Sequence, residues 1–154
     1  MKNLIKLSAF SLALMPIQLH AATGNVPFNG SVSSSCTITV SSPGSLGVNA
    51  GSTVLGSNET GGTSGVAQVV ATGTGFTLST DALSAFSSFP TTGGDNVTYA
   101  TSYSGTGANT MSNVSTASLT SAGITNVSVD MAATKTSGVF VAGSYAATVI
   151  LRCE

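Results

Sequence analysis

The stretch Gly24–Val40, GNVPFNGSVSSSCTITV, decides how this chain is read. It holds two alternating apolar runs in tandem: Val26, Phe28, Gly30 and Val32, then Cys36, Ile38 and Val40. Successive side chains of an extended strand point to opposite faces, so each run puts its apolar members on one face. A domain that opens on such a strand and meets a cysteine within a few residues reads as a secreted β-sandwich. The first run is either the first strand of its own domain or a strand given to a neighbouring subunit. What the chain does turns on that choice.

Toward the N-terminus, Lys2 and Lys6 form a positive region, Leu7 to Ile17 an apolar core, and Ala21 and Ala22 a small-residue cleavage site. Residues 1–21 are therefore predicted to be a signal peptide. Cleavage after Ala21 is preferred because Leu19 suits the −3 position better than His20. The apolar run is well short of the roughly 20 residues of a spanning helix. No membrane insertion is expected once the signal is removed. Residues 22–154 then form a single predicted domain, long enough to bury a β core.

Loss of the signal also removes the only histidine, His20. Two cations, Lys135 and Arg152, remain against Glu59, Asp81, Asp95, Asp130 and Glu154, a side-chain net charge of −3. Nucleic acid and anionic membrane surfaces both call for clustered Lys and Arg, so neither is an expected partner. Sparse charge does not mean disorder here, because mean hydropathy is positive at +0.39.

Cys36 and Cys153 are the only cysteines. In an exported chain such a pair reads as a disulfide, tying the first strand of the domain to the last. The alternatives are two separate buried thiols or a bridge between chains. Each cysteine continues an alternating apolar face, Cys36 with Ile38 and Val40, and Cys153 with Leu151 and Val149. That pattern points both inward and favours the intrachain bridge.

Between the cysteines the chain reads as short strands separated by turns. Residues 41–62 are rich in turn formers and allow at most an edge strand, with Leu46 and Val48 touching the core. Gly65–Thr72 is a strand, and Phe76 and Leu78 mark another. Asp81–Phe86 suggests one helical turn capped by Asp81. Asn96–Tyr103 alternates, and residues 104–113 read as a long polar loop. Leu119 to Met131 gives a further strand region. The last strand, Val139–Cys153, is broken at Ala142–Gly143. Many short strands without an amphipathic helix indicate an all-β sandwich or barrel. Tyr99 and Tyr103 form either a ligand-facing stripe or, more commonly on a strand, core packing.

Catalytic chemistry finds little to build on. Without histidine no Ser-His-Asp or Cys-His set forms, and Lys135 has Ala132, not serine, three residues before it. There is no phosphate-binding loop, and the carboxylates are scattered. No catalytic, cofactor or metal residues are predicted, and the chain is not expected to be an enzyme.

The order Gly24, Val26, Phe28, Gly30, Val32, Cys36 resembles the N-terminus of chaperone–usher pilins. Ala142, Gly143, Tyr145, Ala147 and Val149 are similar to the last strand of pilin and spore-coat-U-like subunits. The resemblance implies an immunoglobulin-like antiparallel β-sandwich lacking one strand. It implies residues 22–34 as an N-terminal donor strand, with Val26, Phe28 and Val32 filling pockets and Gly30 at a close approach. Implied partners are like subunits in a fimbrium, a periplasmic chaperone and an outer-membrane usher, with transit through the periplasm to the cell surface. Two features depart from the family: the second cysteine is penultimate, where a bridge would staple the strands beside the acceptor groove, and the segment before Cys36 is short. The alternative reading is a monomeric secreted β-sandwich that binds a ligand or surface, such as an adhesin or matrix component.

Overall fold

The computed structural model describes residues 21–154. The predicted signal peptide at 1–21 therefore lies, apart from Ala21, outside the described residues. The chain divides after Gly30 into two units. In the first, residues 21–30 carry no strand, and Val26 and Phe28 are 73% and 93% exposed.

The second unit, Ser31–Glu154, is all-β, with antiparallel sheets and no helix among the described residues. Its ten strands are β1 Cys36–Ser42, β2 Gly47–Val48, β3 Val54–Gly56, β4 Gly65–Ala71, β5 Phe76–Thr80, β6 Val97–Gly107, β7 Met111–Val114, β8 Thr116–Leu119, β9 Gly123–Lys135 and β10 Leu151–Cys153. The longest, β9, is the spine of the larger sheet. Along one edge it pairs first with β4 and then with β3, which carries β2; β6 runs along the other edge and carries β7. On the far side of β4 lies β1, in the register Cys36–Ala71, Ile38–Val69 and Val40–Ala67. The smaller sheet has the order β10, β5, β8.

Period-two patterning explains why the two sheets meet. Val69 and Ala71 of β4, Tyr103 of β6 and Val127 of β9 share one buried cluster with Leu78 of β5 and Leu119 of β8. Removing these apolar side chains from water drives the association. Tyr103 is fully buried, and its hydroxyl donates to the Leu78 carbonyl at 2.6 Å, a polar staple from the larger sheet to the smaller. Burial pushes the Tyr103 phenol up from its ordinary value. Of the two readings open to the tyrosines, Tyr103 is core.

A second cluster gathers Leu55, Phe86, Met131, Ala133 and Phe140, with Tyr99 and Tyr145 packed on it. Phe86 meets Tyr99 edge-on at 5.2 Å, and Phe140 meets Tyr145 at 5.4 Å, the edge-to-face geometry that aromatic quadrupoles favour.

Four local expectations change. Residues 41–62 hold two strands, β2 and β3, because β3 pairs with β9 and buries Leu55, while Val48 stays exposed. Asp81–Phe86 is not a helical turn: the Asp81 N–H donates to the Ile150 carbonyl and its carboxylate pairs with Arg152, so tertiary partners replace the cap. Residues 104–113 are not one loop, because β6 runs on to Gly107 and β7 follows. The last strand is short. Gly143 has φ +151°, and a Cβ there would lie 2.9 Å from Pro90, so only glycine suits the break. Beyond it, Tyr145–Ile150 has no sheet ladder, and β10 begins at Leu151.

Candidate functional site: an open groove between the sheets

The missing ladder at Tyr145–Ile150 exposes the feature most able to bind something. A groove of about 640 Å³ lies between the outer edge of β1 and this segment. Ile38 and Val40 form one lip, Tyr145, Ala147, Val149 and Leu151 the other, and Leu46, Ala67, Val129 and Met131 lie between. The lining is mainly apolar. Val40 sits on the same face of β1 as Cys36 and Ile38 yet is 72% exposed. In the sheet interior the comparable position, Val69, is 1% exposed. The groove thus leaves an apolar side chain of this face in solvent.

The backbone shows the same gap. Along the second lip, the Ala146 N–H donates to the Ser88 carbonyl at 2.9 Å, and the Ala146 carbonyl accepts from Ser87 at 2.8 Å. The Ile150 carbonyl accepts from the Asp81 N–H at 2.9 Å. Ala146 and Ile150 thus direct peptide groups toward β5 and the loop after it. In extended chain the intervening residues direct theirs the opposite way. Among the described residues, Ala147, Thr148 and Val149 make no backbone–backbone hydrogen bond. On the first lip, β1 pairs with β4 along one edge only. One lip is thus a strand edge with no neighbour and the other a segment with free backbone groups, an arrangement able to accept an added strand.

The Cys36–Cys153 disulfide, with a Cα–Cα distance of 6.1 Å, joins the lips at one end. Ser42–Gly44 and Tyr145 line the other end. The bridge is where the sequence places it, and it ties the lips together without filling the space between them. Outside the groove, Arg152 makes a bidentate pair with Asp81 at 2.5 and 2.7 Å. This hydrogen-bonded guanidinium holds the Asp81 carboxyl below its ordinary value. Asp130 is the one charged residue lining the groove, and its Oδ1 accepts from Ser57 and Ser64 at 2.7 and 2.6 Å.

The predicted site residues fall into two groups. Cys36 and Cys153 meet at the groove end. Val26, Phe28 and Val32 are exposed at 73%, 93% and 84%, and Gly30 has no heavy atom within 4 Å of a built Cβ. Alternation flagged the residues of both lips, but not the middle of the groove: Ala67 and Met131 look like ordinary core in sequence. Among the described residues no three His, Cys, Asp or Glu side chains come together as a metal-binding group. Comparison with family models, curated proteins and solved structures gives no match.

Proposed function

We propose that the chain is the structural subunit of a surface filament, exported to the periplasm and polymerised by strand donation. The donated segment is residues 22–34 of a like subunit, with Val26, Phe28 and Val32 entering the groove and Gly30 at its tightest point. One observation carries the reading: the chain holds a groove between a strand edge with no neighbour and a segment with free backbone groups and, separately, an exposed alternating segment of the kind such a groove accepts. An added strand gains main-chain hydrogen bonds along both lips and buries alternate side chains.

The strand order supports an immunoglobulin-like sandwich lacking its last strand. In that fold one sheet is ordered A-B-E-D and the other contains C, F and G. Here β1-β4-β9-β6 corresponds to A-B-E-D, and β10-β5 to F-C, with β8 beyond C. The G position, next to F, falls at the groove. A periplasmic chaperone that shields the open edge and an usher that exchanges it for the next subunit follow from the resemblance at both chain ends. The disulfide fits an oxidising compartment.

The test is deletion of Gly24 to Val32 with expression in an oxidising periplasm. The reading expects a folded monomer that polymerises only when the segment is restored. A deletion that fails to fold, beside a full chain that stays monomeric, makes the segment an internal strand and leaves a monomeric binding module as the account.

A further inference from the structure

Strand donation requires that a subunit's own segment stay out of its own groove, and the geometry around Thr72 supplies the means. Resting on the donor reading above, we propose that Thr72 is a positioning residue that holds the root of the donor segment straight, so that only a second copy can receive it.

Two routes exist for self-filling. A strand running antiparallel to Tyr145–Leu151 would end, at Val32, by the Tyr145 end of the groove, whereas Cys36 sits at the disulfide end. The six residue steps of β1 separate these points by about 20 Å. Ser33, Ser34 and Ser35 are all that join Val32 to Cys36. Fully extended, they reach only about 14 Å. That route is too short. The second route is a hairpin, with the segment folding back alongside β1. It needs a chain reversal within Ser33–Ser35.

Thr72 opposes that reversal. Its hydroxyl donates to the Ser33 carbonyl at 2.7 Å and accepts from the Ser35 N–H at 2.8 Å. Its own N–H donates to the Ser35 carbonyl at 2.9 Å. One hydroxyl thus bridges two peptide groups of the departing chain, continuing the line of β1 past the Cys36–Ala71 pair. Ser34 also passes so close to Gly73 that a Cβ there would collide with it. A hairpin would have to break all three Thr72 bonds. Valine has the shape of threonine without the hydroxyl, so Thr72→Val removes the bridge and keeps the strand.

The experiment uses the full chain expressed into an oxidising periplasm, with Thr72→Val, Thr72→Ala and Thr72→Ser variants. Size exclusion with light scattering reads the monomer-to-polymer ratio, and a synthetic peptide of residues 22–34 serves as competitor. Expected is a roughly five- to hundredfold rise in stable monomer for Thr72→Val and Thr72→Ala, in proportion to the loss of two net hydrogen bonds. Thr72→Ser should assemble like the parent, because its hydroxyl restores the bridge. The extra monomers should resist capture of the peptide, their groove being filled from within. Unchanged assembly of both variants, with the peptide still blocking polymerisation, overturns the role of Thr72 and leaves donation intact. A parent chain that neither polymerises nor binds the peptide overturns donation, and the inference with it.

Discussion

Phe28→Ala is the perturbation with the largest expected effect on assembly and the smallest on the subunit. Phe28 is 93% exposed, so its burial is gained almost entirely on docking. Fully burying a phenylalanine is worth about 1.5–3 kcal/mol. At about 1.4 kcal/mol per tenfold, truncation should weaken donation by roughly ten- to a hundredfold. The assay is competition by 22–34 peptides, native against Phe28→Ala, for polymerisation of the full chain. Asn29→Ala is the control, because position 29 faces away from Val26, Phe28 and Gly30 in an extended strand. The thermal midpoint of the monomer should not move with Phe28→Ala. Equal potency of the native and Phe28→Ala peptides, or a destabilised monomer, would refute the reasoning.

Other consequences can be checked together. Cys36→Ser with Cys153→Ser opens a loop of sequence separation 117 and should cost about 2–5 kcal/mol in urea unfolding; a cost under about 1 kcal/mol contradicts the structural role of the bridge. Tyr103→Phe removes the hydroxyl's bond to the Leu78 carbonyl in the core and should cost about 0.5–1.5 kcal/mol without altering peptide competition. The Asp81 carboxyl is held below 3.8 by Arg152, so the folded chain binds its proton less readily than the unfolded chain. Its contribution is present above the unfolded value and is lost as pH falls through the lowered one. Thermal midpoints of parent and Asp81→Asn should therefore converge as pH drops below about 4; a constant difference down to the lowest pH contradicts this.

How much was legible depended on whether a residue's role is local or comes from distant partners. Strand β6 is readable because one inward face, ending at the buried Tyr103, imposes the alternation of Asn96–Tyr103. The disulfide was readable because both cysteines extend such faces. Residues 104–113 were not, since the polar run hides two strand ends and Asn109, which is 5% exposed. Its amide donates to Ser121 and Thr125 and accepts from Thr120 and Ser121, partners that lie 11 to 16 residues away. Nothing in the local sequence separates such an asparagine from a solvated one. The helical turn at Asp81 failed for the same reason, its cap being displaced by Ile150 and Arg152. At the groove, the lips were visible as alternation. Their lack of partners was not, because alternation marks a strand's buried face without saying which strand covers it.

The most direct test of strand donation is a photoreactive phenylalanine analogue at position 28, introduced into full chain assembled from a mixture of isotopically light and heavy copies. Illumination followed by mass spectrometry identifies both the attached peptide and its copy of origin. The account predicts attachment to residues 36–42 or 145–151, with light–heavy pairs at the frequency of random mixing. Attachment confined to the same copy, or to surfaces away from both lips, would contradict it.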